Sequence, residues 1–384
     1  MRVLVQIVPH LPPTISGVGD YALLLAEELR GSHDIHTRFV IGNPDWNGLP
    51  ELNGFPVFKI AARSATALAE LLAQSARPVV PLSGSPVVQS SRGPVVPFLL
   101  HYVGYGYQKR GCPFWLVRAL EAWHHPSSVS YLPSSTIPRL VTMFHELYAS
   151  GPIWASSFWT SPFQRGLAGR LARISDRCWT NRRLSADELG RLAPAHLGRM
   201  EVFPVFSNFG EPKNSPPLHQ RPAQAVMFGT FGRAVRSPAL GLAAVRRACR
   251  HLGIERLIVV GGGEIQMNGD GVAIEKIGSV SAEQATRILA CSRVGLLDYF
   301  DGYLGKSSIF AAYCSHGVAP VLLAPNESQA DGVEADRHFL VAQFLEQEVR
   351  VAEQQRIADA ALAWYSSHTL ARMSDAIAKA VSPK

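Results

Sequence analysis

The sequence lacks several features that would assign its class at once. Its five cysteines lie far apart along 384 residues, and none forms a CxxC pair or a Cys/His cluster with metal-site spacing. An odd number of scattered cysteines argues against a secreted disulfide framework and favours a reducing, cytoplasmic compartment. No segment approaches the roughly 20 apolar residues of a membrane helix, and the apolar N-terminal run is too short for a signal peptide. We expect a cytoplasmic protein that is at most peripheral at the inner face of a membrane.

Three common catalytic or cofactor motifs are also incomplete. Gly17-Val18-Gly19 is not GxGxxG, and no acidic residue ends a second strand at the expected distance, which disfavours a dinucleotide-dependent oxidoreductase. Gly305-Lys306-Ser307-Ser308 is not a P-loop, because Phe300 stands where that motif requires glycine. His145-Glu146 does not begin HExxH, because residue 149 is alanine. With no DxD-like acidic pair either, we expect neither a metal nor another cofactor.

The net charge limits the classes of partner that we expect. There are 37 Lys and Arg residues against 30 Asp and Glu, a net charge of +7. This excess favours anionic partners, which include nucleotide phosphates, an anionic membrane surface and nucleic acid. The basic residues are scattered, however, and no aromatic residues are interleaved with them in a run. Nucleic acid is therefore the least favoured of the three partners.

Short apolar runs alternate with amphipathic stretches along the chain, which predicts two successive α/β halves with parallel sheets. The alternation stops in the Pro-rich segment Val205–Ala223, which we interpret as a linker, and then restarts. We therefore predict an N-terminal domain over 1–205, a C-terminal domain over 206–364, and a last helix within 365–384 that packs back on the first domain. The predicted strands are Arg2–Val8, Thr37–Ile41, Val57–Ile60, Val95–Leu100, Arg139–Phe144, Arg177–Thr180, Ala225–Phe231, Arg256–Val260, Val294–Asp298 and Ala319–Leu323.

Candidate ligand-binding residues follow the ends of these strands, where α/β folds bind their ligands. Gly17 and Gly19 come after the first strand and before a helix for which Asp20 is the predicted N-cap. Glycines there let the backbone approach a phosphate or sugar, although a plain tight turn also needs them. His145 follows an apolar strand, where an imidazole can face a substrate; a structural histidine is the alternative. Ser307-Ser308 suits a phosphate, but it also suits an ordinary capped helix start.

Five segments, in the right order, together resemble the retaining family-4 glycosyltransferases of the GT-B fold. Pro12–Leu29 resembles that family's opening Gly-rich loop and first helix, and Met143-Phe144-His145-Glu146 resembles its strand-end histidine. Phe231-Gly232-Arg233 with Arg236 resembles the turn that opens its second domain. Val259–Glu264 and Gly305–Val321 resemble its donor-side loops. The resemblance implies two Rossmann-like domains that face each other across a cleft, and an enzyme that moves a sugar from a nucleotide-sugar donor to a hydroxyl acceptor with retention.

The resemblance also implies roles for individual residues. His145 and Arg233 would act in catalysis. The acceptor, a saccharide or a lipid-linked molecule, would meet His101 on the first domain. Apart from the resemblance, the aromatic Trp154 and Trp159 after His145 suit such an acceptor, although packing in the core is the commoner use of aromatic residues. The donor would be held by Gly17, Gly19, Arg233, Arg236, Gly262, Gly305, Lys306, Ser307 and Ser308. Arginine forks stabilise a leaving diphosphate without a metal.

One departure from the family stands in the donor loop. Its members carry two glutamates there, one for the sugar and one for the ribose, whereas this chain has Leu304 and Ala312 at those positions. Either Asp298, Asp301 or Ser307 takes over, or the donor differs, or catalysis has been lost. A catalytically degenerate protein of the same fold, which binds a nucleotide sugar or a partner enzyme, is therefore the alternative function.

Overall fold

The chain divides into two compact units, Met1–Phe203 with Met373–Lys384 and Pro204–Arg372. The predicted boundary after residue 205 lies two residues from this division. The computed structural model describes residues 2–77, 96–124, 139–229, 231, 234–235, 237–261, 271–324 and 331–382. Over this part of the chain, no helix is both long and apolar enough to cross a membrane.

The first unit is built on a sheet of eight strands. In chain order they are β1 (Arg2–Val8), β2 (Ile35–Ile41), β3 (Glu51–Leu52), β4 (Phe55–Lys59), β5 (Phe98–Tyr102), β6 (Leu140–Phe144), β7 (Arg177–Thr180) and β8 (Met200–Val202). Their order across the sheet is β3-β4-β2-β1-β5-β6-β7-β8, and all neighbours are parallel except β3 and β4. The central strands β5 and β6 are buried along their whole length, as expected for parallel strands covered on both faces.

Helices cover this sheet, and the last helix of the chain joins them. They are α1 (Gly17–His33), α2 (Ala65–Ser75), α3 (Gly104–Tyr107), α4 (Phe114–His124), α5 (Ser156–Ile174) and α6 (Arg183–Leu192), and α11 (Leu370–Val381) enters the unit at Met373. The end of α11 is fixed by polar contacts: Asp375 lies 3.2 Å from His33 Nε2, and Arg139 Nη1 donates to the Ala380 carbonyl at 3.1 Å.

The second unit has a six-stranded, fully parallel sheet of order β11-β10-β9-β12-β13-β14. In chain order its strands are β9 (Gln224–Phe228), β10 (Arg256–Val260), β11 (Ala273–Ile277), β12 (Val294–Leu297), β13 (Ala319–Leu322) and β14 (Leu340–Val341). Its helices are α7 (Pro238–His251), α8 (Ala282–Ala290), α9 (Ser308–Ser315) and α10 (Val351–Tyr365). This strand order is that of the Rossmann fold.

Two local predictions differ from the structure. The first helix begins at Gly17, four residues before the predicted start, because the N-cap is Ser16 in place of Asp20, and its hydroxyl accepts from the Gly19 amide. Asp20 therefore lies in the first turn of the helix. The Pro-rich segment predicted as a linker is packed into the second unit. Within it Phe206 and Leu218 are buried, and the buried Arg221 guanidinium donates to the carbonyls of Leu289, Ser292 and His316.

The second unit also contains buried histidines that are held neutral. Burial lowers the pKa of His368 to about 3 and that of His316 to about 4. The rings of Trp364 and Tyr365 lie 4.2 Å and 5.1 Å from the His368 ring, and both meet it edge-on. A charged imidazole among aromatic rings loses its hydration, so the folded state resists protonation.

We expect acid to destabilise the second unit through these histidines. The unfolded chain binds a proton near pH 6.5 but the folded chain does not, so stability is complete above that pH and falls toward the folded pKa values. At pH 5 the loss is about 2 kcal/mol for each such histidine. In His368→Phe, the fall in unfolding free energy between pH 7 and pH 5 should be smaller by about that amount.

Fluorine labelling of Trp364, the single tryptophan of this unit, reports its unfolding. His219→Phe, at an exposed position, is the control; an equal fall in wild type and His368→Phe would contradict the prediction.

Candidate functional site

Each sheet has one point where the strand order reverses, between β1 and β5 in the first unit and between β9 and β12 in the second. The connections on the two sides of such a point lead to opposite faces of the sheet. A crevice therefore opens beyond the carboxyl ends of the strands, and α/β proteins bind ligands there. Polar side chains lie at or near both points.

Four side chains of the first unit form one chain of hydrogen bonds. The Nδ1 atom of His101, on β5, lies 3.1 Å from Nε2 of His145, which directly follows β6. The other ring nitrogen of His101 lies 2.8 Å from Gln6 Oε1 on β1, and Gln6 Nε2 donates to Thr37 Oγ1 on β2 at 3.1 Å. The four residues therefore connect four neighbouring strands across the reversal point.

The amide of Gln6 determines where the protons of this chain lie. Gln6 donates to Thr37, so its oxygen must accept from Nε2–H of His101. The Nδ1 atom of His101 then carries a lone pair, and Nε2 of His145 donates to it. In the neutral pair, the lone pair of His145 is consequently on Nδ1. Burial, reinforced by the charge that His145 can carry, lowers the pKa of His101 far below 6.5.

The burial of His101 corrects one prediction. The resemblance placed His101 against the acceptor, but its side chain has 0% exposure and its ring stacks 5.4 Å from that of His145. A side chain with no exposed surface does not contact a substrate directly, and the ring of His101 is bonded to His145 and Gln6 instead. Tyr21 of α1 packs edge-on against both imidazoles, at 5.8 Å and 5.2 Å. The sequence did not single out Gln6, Thr37 or Tyr21, because the chain separates them widely.

The two glycines before α1 have different surroundings. A Cβ atom on Gly19 would lie 2.7 Å from the carbonyl oxygen of His10, so close packing of the helix start against the preceding loop requires glycine there. A Cβ atom on Gly17 would meet nothing within 4 Å. The backbone amide of Gly19 is already bonded to the Ser16 hydroxyl. The geometry of Gly19 therefore has a structural explanation, and a role in ligand binding stays a prediction for both residues.

In the second unit, Asp298 connects the two strands at the reversal point. It follows β12, and its Oδ1 accepts from the amides of Ala234 and Val235 at 2.9 Å and 2.8 Å. These amides belong to the loop after β9, and that loop also contains Arg233 and Arg236 in the sequence. Asp298 is buried, and its two bonds hold the backbone of Ala234 and Val235 at the end of the sheet. Asp298 is a predicted substitute for a missing glutamate, and residue type alone does not reveal these two backbone contacts.

The segment Gly305–Ser308 leads from a 3-10 turn, Asp301–Lys306, into α9. Ser307 is its N-cap and accepts from the Phe310 amide at 3.1 Å, while the Gly305 carbonyl accepts from the Val205 amide at 2.8 Å. Tyr313 fixes this helix on the sheet, because its ring occupies the space above Gly295 of β12, where a Cβ atom would lie 2.6 Å away. Lys306 Nζ lies 5.9 Å from the centre of the Tyr303 ring. Ser307 therefore caps the helix as the alternative interpretation expected, and phosphate binding stays a prediction.

The remaining residues predicted to bind a ligand are exposed or lie outside the described part of the chain, whereas the two residues that replace glutamates are buried. Trp154 and Trp159, predicted for the acceptor, are on the surface before and within the first turn of α5. Leu304 and Ala312, which replace the family's glutamates, are buried with 1% and 0% exposure. Among the residues that the structure describes, no group of three His, Cys, Asp or Glu side chains is arranged to hold a metal. Arg233, Arg236 and Gly262 lie outside the described residues.

The hydrogen-bonded chain of the first unit gives a stability prediction. Gln6→Leu keeps the approximate volume of the side chain but leaves Nε2–H of His101 buried without its acceptor, and it also removes the donor to Thr37. We expect the first unit to lose roughly 1–3 kcal/mol of unfolding free energy, the cost of an unsatisfied buried donor.

The measurement is denaturant unfolding followed by tryptophan fluorescence, since all tryptophans except Trp364 lie in the first unit. Gln74→Leu makes the same substitution at an exposed position and should change stability by less than about 0.5 kcal/mol. Equal stability of the two variants would contradict the hydrogen-bond assignment.

Comparison with known proteins gives a likeness in structure only. No family model matches this chain, and no curated protein matches it. A UDP-forming alpha,alpha-trehalose-phosphate synthase from Burkholderia xenovorans has a TM-score of 0.58 at 12% identity over 100% of both chains. A protein of Listeria monocytogenes described as a UDP-N-acetylglucosamine 2-epimerase has a TM-score of 0.57 at 13% identity, over 99% of this chain and 95% of that one.

A further similar structure is an alpha-glucosyltransferase in complex with UDP and a 13-mer DNA, with a TM-score of 0.55 at 8% identity over 99% of both chains. Identities this low show a shared fold rather than a shared activity. The likeness nevertheless extends over the whole of both units. The chain therefore has the mixed α/β fold of the GT-B glycosyltransferases, with two parallel-sheet domains.

Proposed function

We propose that this protein is a glycosyltransferase that moves a sugar from a nucleotide-sugar donor to a hydroxyl acceptor. The observation that carries the proposal is the imidazole pair of His101 and His145, which lies near the strand-reversal point of a GT-B fold and has its tautomer fixed by Gln6. Burying two polar imidazole rings costs desolvation free energy, and packing of the core alone gives no reason to keep them there. Solved structures of this fold, at low identity, include transferases in complex with UDP or with a sugar phosphate.

The donor would bind to the second unit. The loop held by Asp298 contains Arg233 and Arg236, and the start of α9 adds Lys306 and the amide of Ser308. Together they provide cations and helix-end amides for a diphosphate. As the bond between the anomeric carbon and the phosphate oxygen breaks, negative charge grows on the leaving diphosphate, and fixed cations stabilise it. Gly262 and Gly305 would allow close approach of the backbone, and the reaction would need no metal.

The acceptor, a saccharide or a lipid-linked molecule, would bind to the first unit. With its proton on Nε2, His145 can accept a hydrogen bond from a sugar or acceptor hydroxyl through Nδ1. In a retaining transfer the acceptor oxygen bonds to the anomeric carbon on the face that the diphosphate leaves, and the hydroxyl proton passes to the departing phosphate oxygen. This chemistry asks the protein for positioning and electrostatics rather than for a covalent step.

A specific observation supports a second candidate, a degenerate protein that binds a nucleotide sugar or a partner enzyme without turnover. Leu304 and Ala312 are buried, so neither position offers a polar group to a donor. The suggested substitutes already have structural partners. Asp298 binds two backbone amides, Ser307 caps α9, and Asp301 accepts from the Gly302 amide. Turnover is what separates the two candidates.

The decisive experiment is a panel of nucleotide sugars incubated with the protein, with and without a chelator, and with product analysis by mass spectrometry. Release of the nucleoside diphosphate together with a glycosylated acceptor or free sugar supports the transferase. Binding without product supports the degenerate protein. Conversion of one nucleotide sugar to its epimer would show that the chain shares the activity ascribed to the Listeria protein rather than that of the transferases. Loss of activity with chelator would contradict metal independence.

A double-mutant cycle tests the donor loop. Arg233→Ala should weaken binding of a nucleoside diphosphate by roughly 1.5–3 kcal/mol, the contribution of a hydrogen bond to a charged group. Asp298→Ala should also weaken binding, because the loop loses its anchor. If Asp298 acts by placing Arg233, the double variant should be weaker by less than the sum of the two. Titration calorimetry gives the three values, and Asp359→Ala on the exposed face of α10 is the control. Strictly additive losses would show that Asp298 does not act through Arg233.

His145 is tested by kinetics. His145→Ala should lower kcat at least about tenfold, or about 1.4 kcal/mol in the barrier, and leave nucleotide affinity nearly unchanged. His101→Phe should lower kcat as well, because the tautomer of His145 is then no longer fixed. A His145→Ala variant with normal kcat would remove His145 from the mechanism. One that has lost nucleotide affinity would place it in donor binding instead.

A further inference from the structure

Six large apolar side chains lie together on the surface of the first unit. We call them the aromatic patch, and its members are Phe114, Ile153, Trp154, Phe158, Trp159 and Phe163. Trp154 is 85% exposed and the other five are between 39% and 63% exposed. Single exposed apolar residues are ordinary, but a contiguous group that includes two tryptophans marks an interaction surface.

The members of the patch contact one another. The rings of Phe158 and Trp159 meet edge-on at 5.3 Å, and those of Phe114 and Phe163 meet at 6.3 Å. Trp159 Nε1 donates to the carbonyl of Ile153 at 2.9 Å, which holds its indole across the start of α5. Trp159 and Phe163 are one turn apart on α5, and Phe163 meets Phe114 of α4, so these rings join the first half of α5 to the start of α4.

A buried side chain fixes this surface in place. Gln164 is 1% exposed, and its oxygen accepts from the Ala149 amide at 2.7 Å. Its nitrogen donates to the Arg110 carbonyl at 2.8 Å and lies 3.2 Å from the Tyr105 hydroxyl. Gln164 thus joins the middle of α5 both to the segment that follows His145 and to the turn before α4. The exposed rings are presented by a fixed framework and do not belong to a loose loop.

Positive charge accompanies the patch. Segments 105–124 and 145–173 contain six Lys or Arg residues against two glutamates, and one of these glutamates, Glu121, is paired with Arg170. Arg118 lies one helical turn after Phe114 on α4, and Arg165 directly follows Gln164. Lys109 and Arg110 are exposed in the turn before α4. Trp and Phe beside Lys and Arg form the composition that binds the interface of an anionic bilayer.

We propose that the aromatic patch docks the protein onto the surface of a membrane that contains anionic lipids, with Trp154 and Phe158 entering the interface and Lys109 and Arg118 contacting headgroups. A hydrocarbon boundary accepts aliphatic Ile153 and aromatic rings alike, and anionic headgroups complement the surrounding cations. A polar protein partner or a nucleic acid would offer fewer apolar contacts to Ile153 and to the faces of the tryptophan rings. The proposal concerns binding alone and does not depend on transferase activity.

The test measures partition of the whole protein into vesicles without any nucleotide sugar. The wild type should cosediment with vesicles of equimolar phosphatidylcholine and phosphatidylglycerol, and much less with pure phosphatidylcholine. The double variant Trp154→Ser with Phe158→Ser should partition at least roughly tenfold more weakly, because it withdraws two large apolar side chains from the interface. Lys109→Gln with Arg118→Gln should lose roughly fivefold per cation on the anionic vesicles only.

A matched control changes exposed apolar residues elsewhere. Phe344→Ser with Leu240→Ser alters two residues of the second unit that are 64% and 59% exposed, and it should bind vesicles as the wild type does. Absence of wild-type binding to either vesicle would overturn the proposal, as would equal binding by the patch variant and this control. Loss of vesicle binding in competition with single-stranded DNA, or a dimer that dissociates in Trp154→Ser, would assign the patch to a nucleic acid or to a second copy instead.

Discussion

The reversal of strand order in each parallel sheet is the constraint on which the candidate site depends. Beside β1 and β5, and again beside β9 and β12, the crossover connections turn to opposite faces, so the strand ends at these points are left uncovered by helices. Hydrogen-bonding side chains bridge the two strands at each point. Gln6 meets His101 in the first unit, and Asp298 meets the amides of Ala234 and Val235 in the second. Topology determines where a ligand can bind, and these contacts determine how firmly its surroundings are held.

Burial makes the histidine pair specific. Each polar atom inside a sheet must be satisfied, and the amide of Gln6 satisfies His101 in only one tautomer. The same low-dielectric surroundings that depress the pKa of His101 keep the pair from being charged on the His101 side. Nε2 of His145 is bonded to His101, and the tautomer of His145 therefore depends on Gln6, two hydrogen bonds away. A static side chain of this kind suits the orientation of a hydroxyl better than the relay of protons through the sheet.

Much of the fold followed from the sequence because buried parallel strands are short, continuous apolar runs. The bounds predicted for Arg2–Val8, Arg177–Thr180 and Arg256–Val260 are those of β1, β7 and β10. Short strands such as β8 and β14 carry too few residues to show a pattern, and their existence depends on neighbours distant in the chain. The start of α1 was missed because capping by Ser16 and a glycine within the first turn cannot be told from a loop by residue type. The contacts around His101 could not be predicted at all, because they join residues separated by up to 95 positions.

The burial of Leu304 and Ala312 shows that the two positions without glutamate do not lie on an open surface. A carboxylate at either place would need a partner or open surface, whereas both side chains here contribute to the packing of the second unit. Tyr313, next to Ala312 on α9, is itself seated over Gly295 of the sheet, and a glutamate at either buried position would lose its hydration. In the proposed function the missing carboxylates concern the sugar and the ribose, whereas Arg233, Arg236 and Lys306 concern the diphosphate. The two properties can be separated: affinity for a diphosphate can persist where recognition of the sugar and ribose has changed.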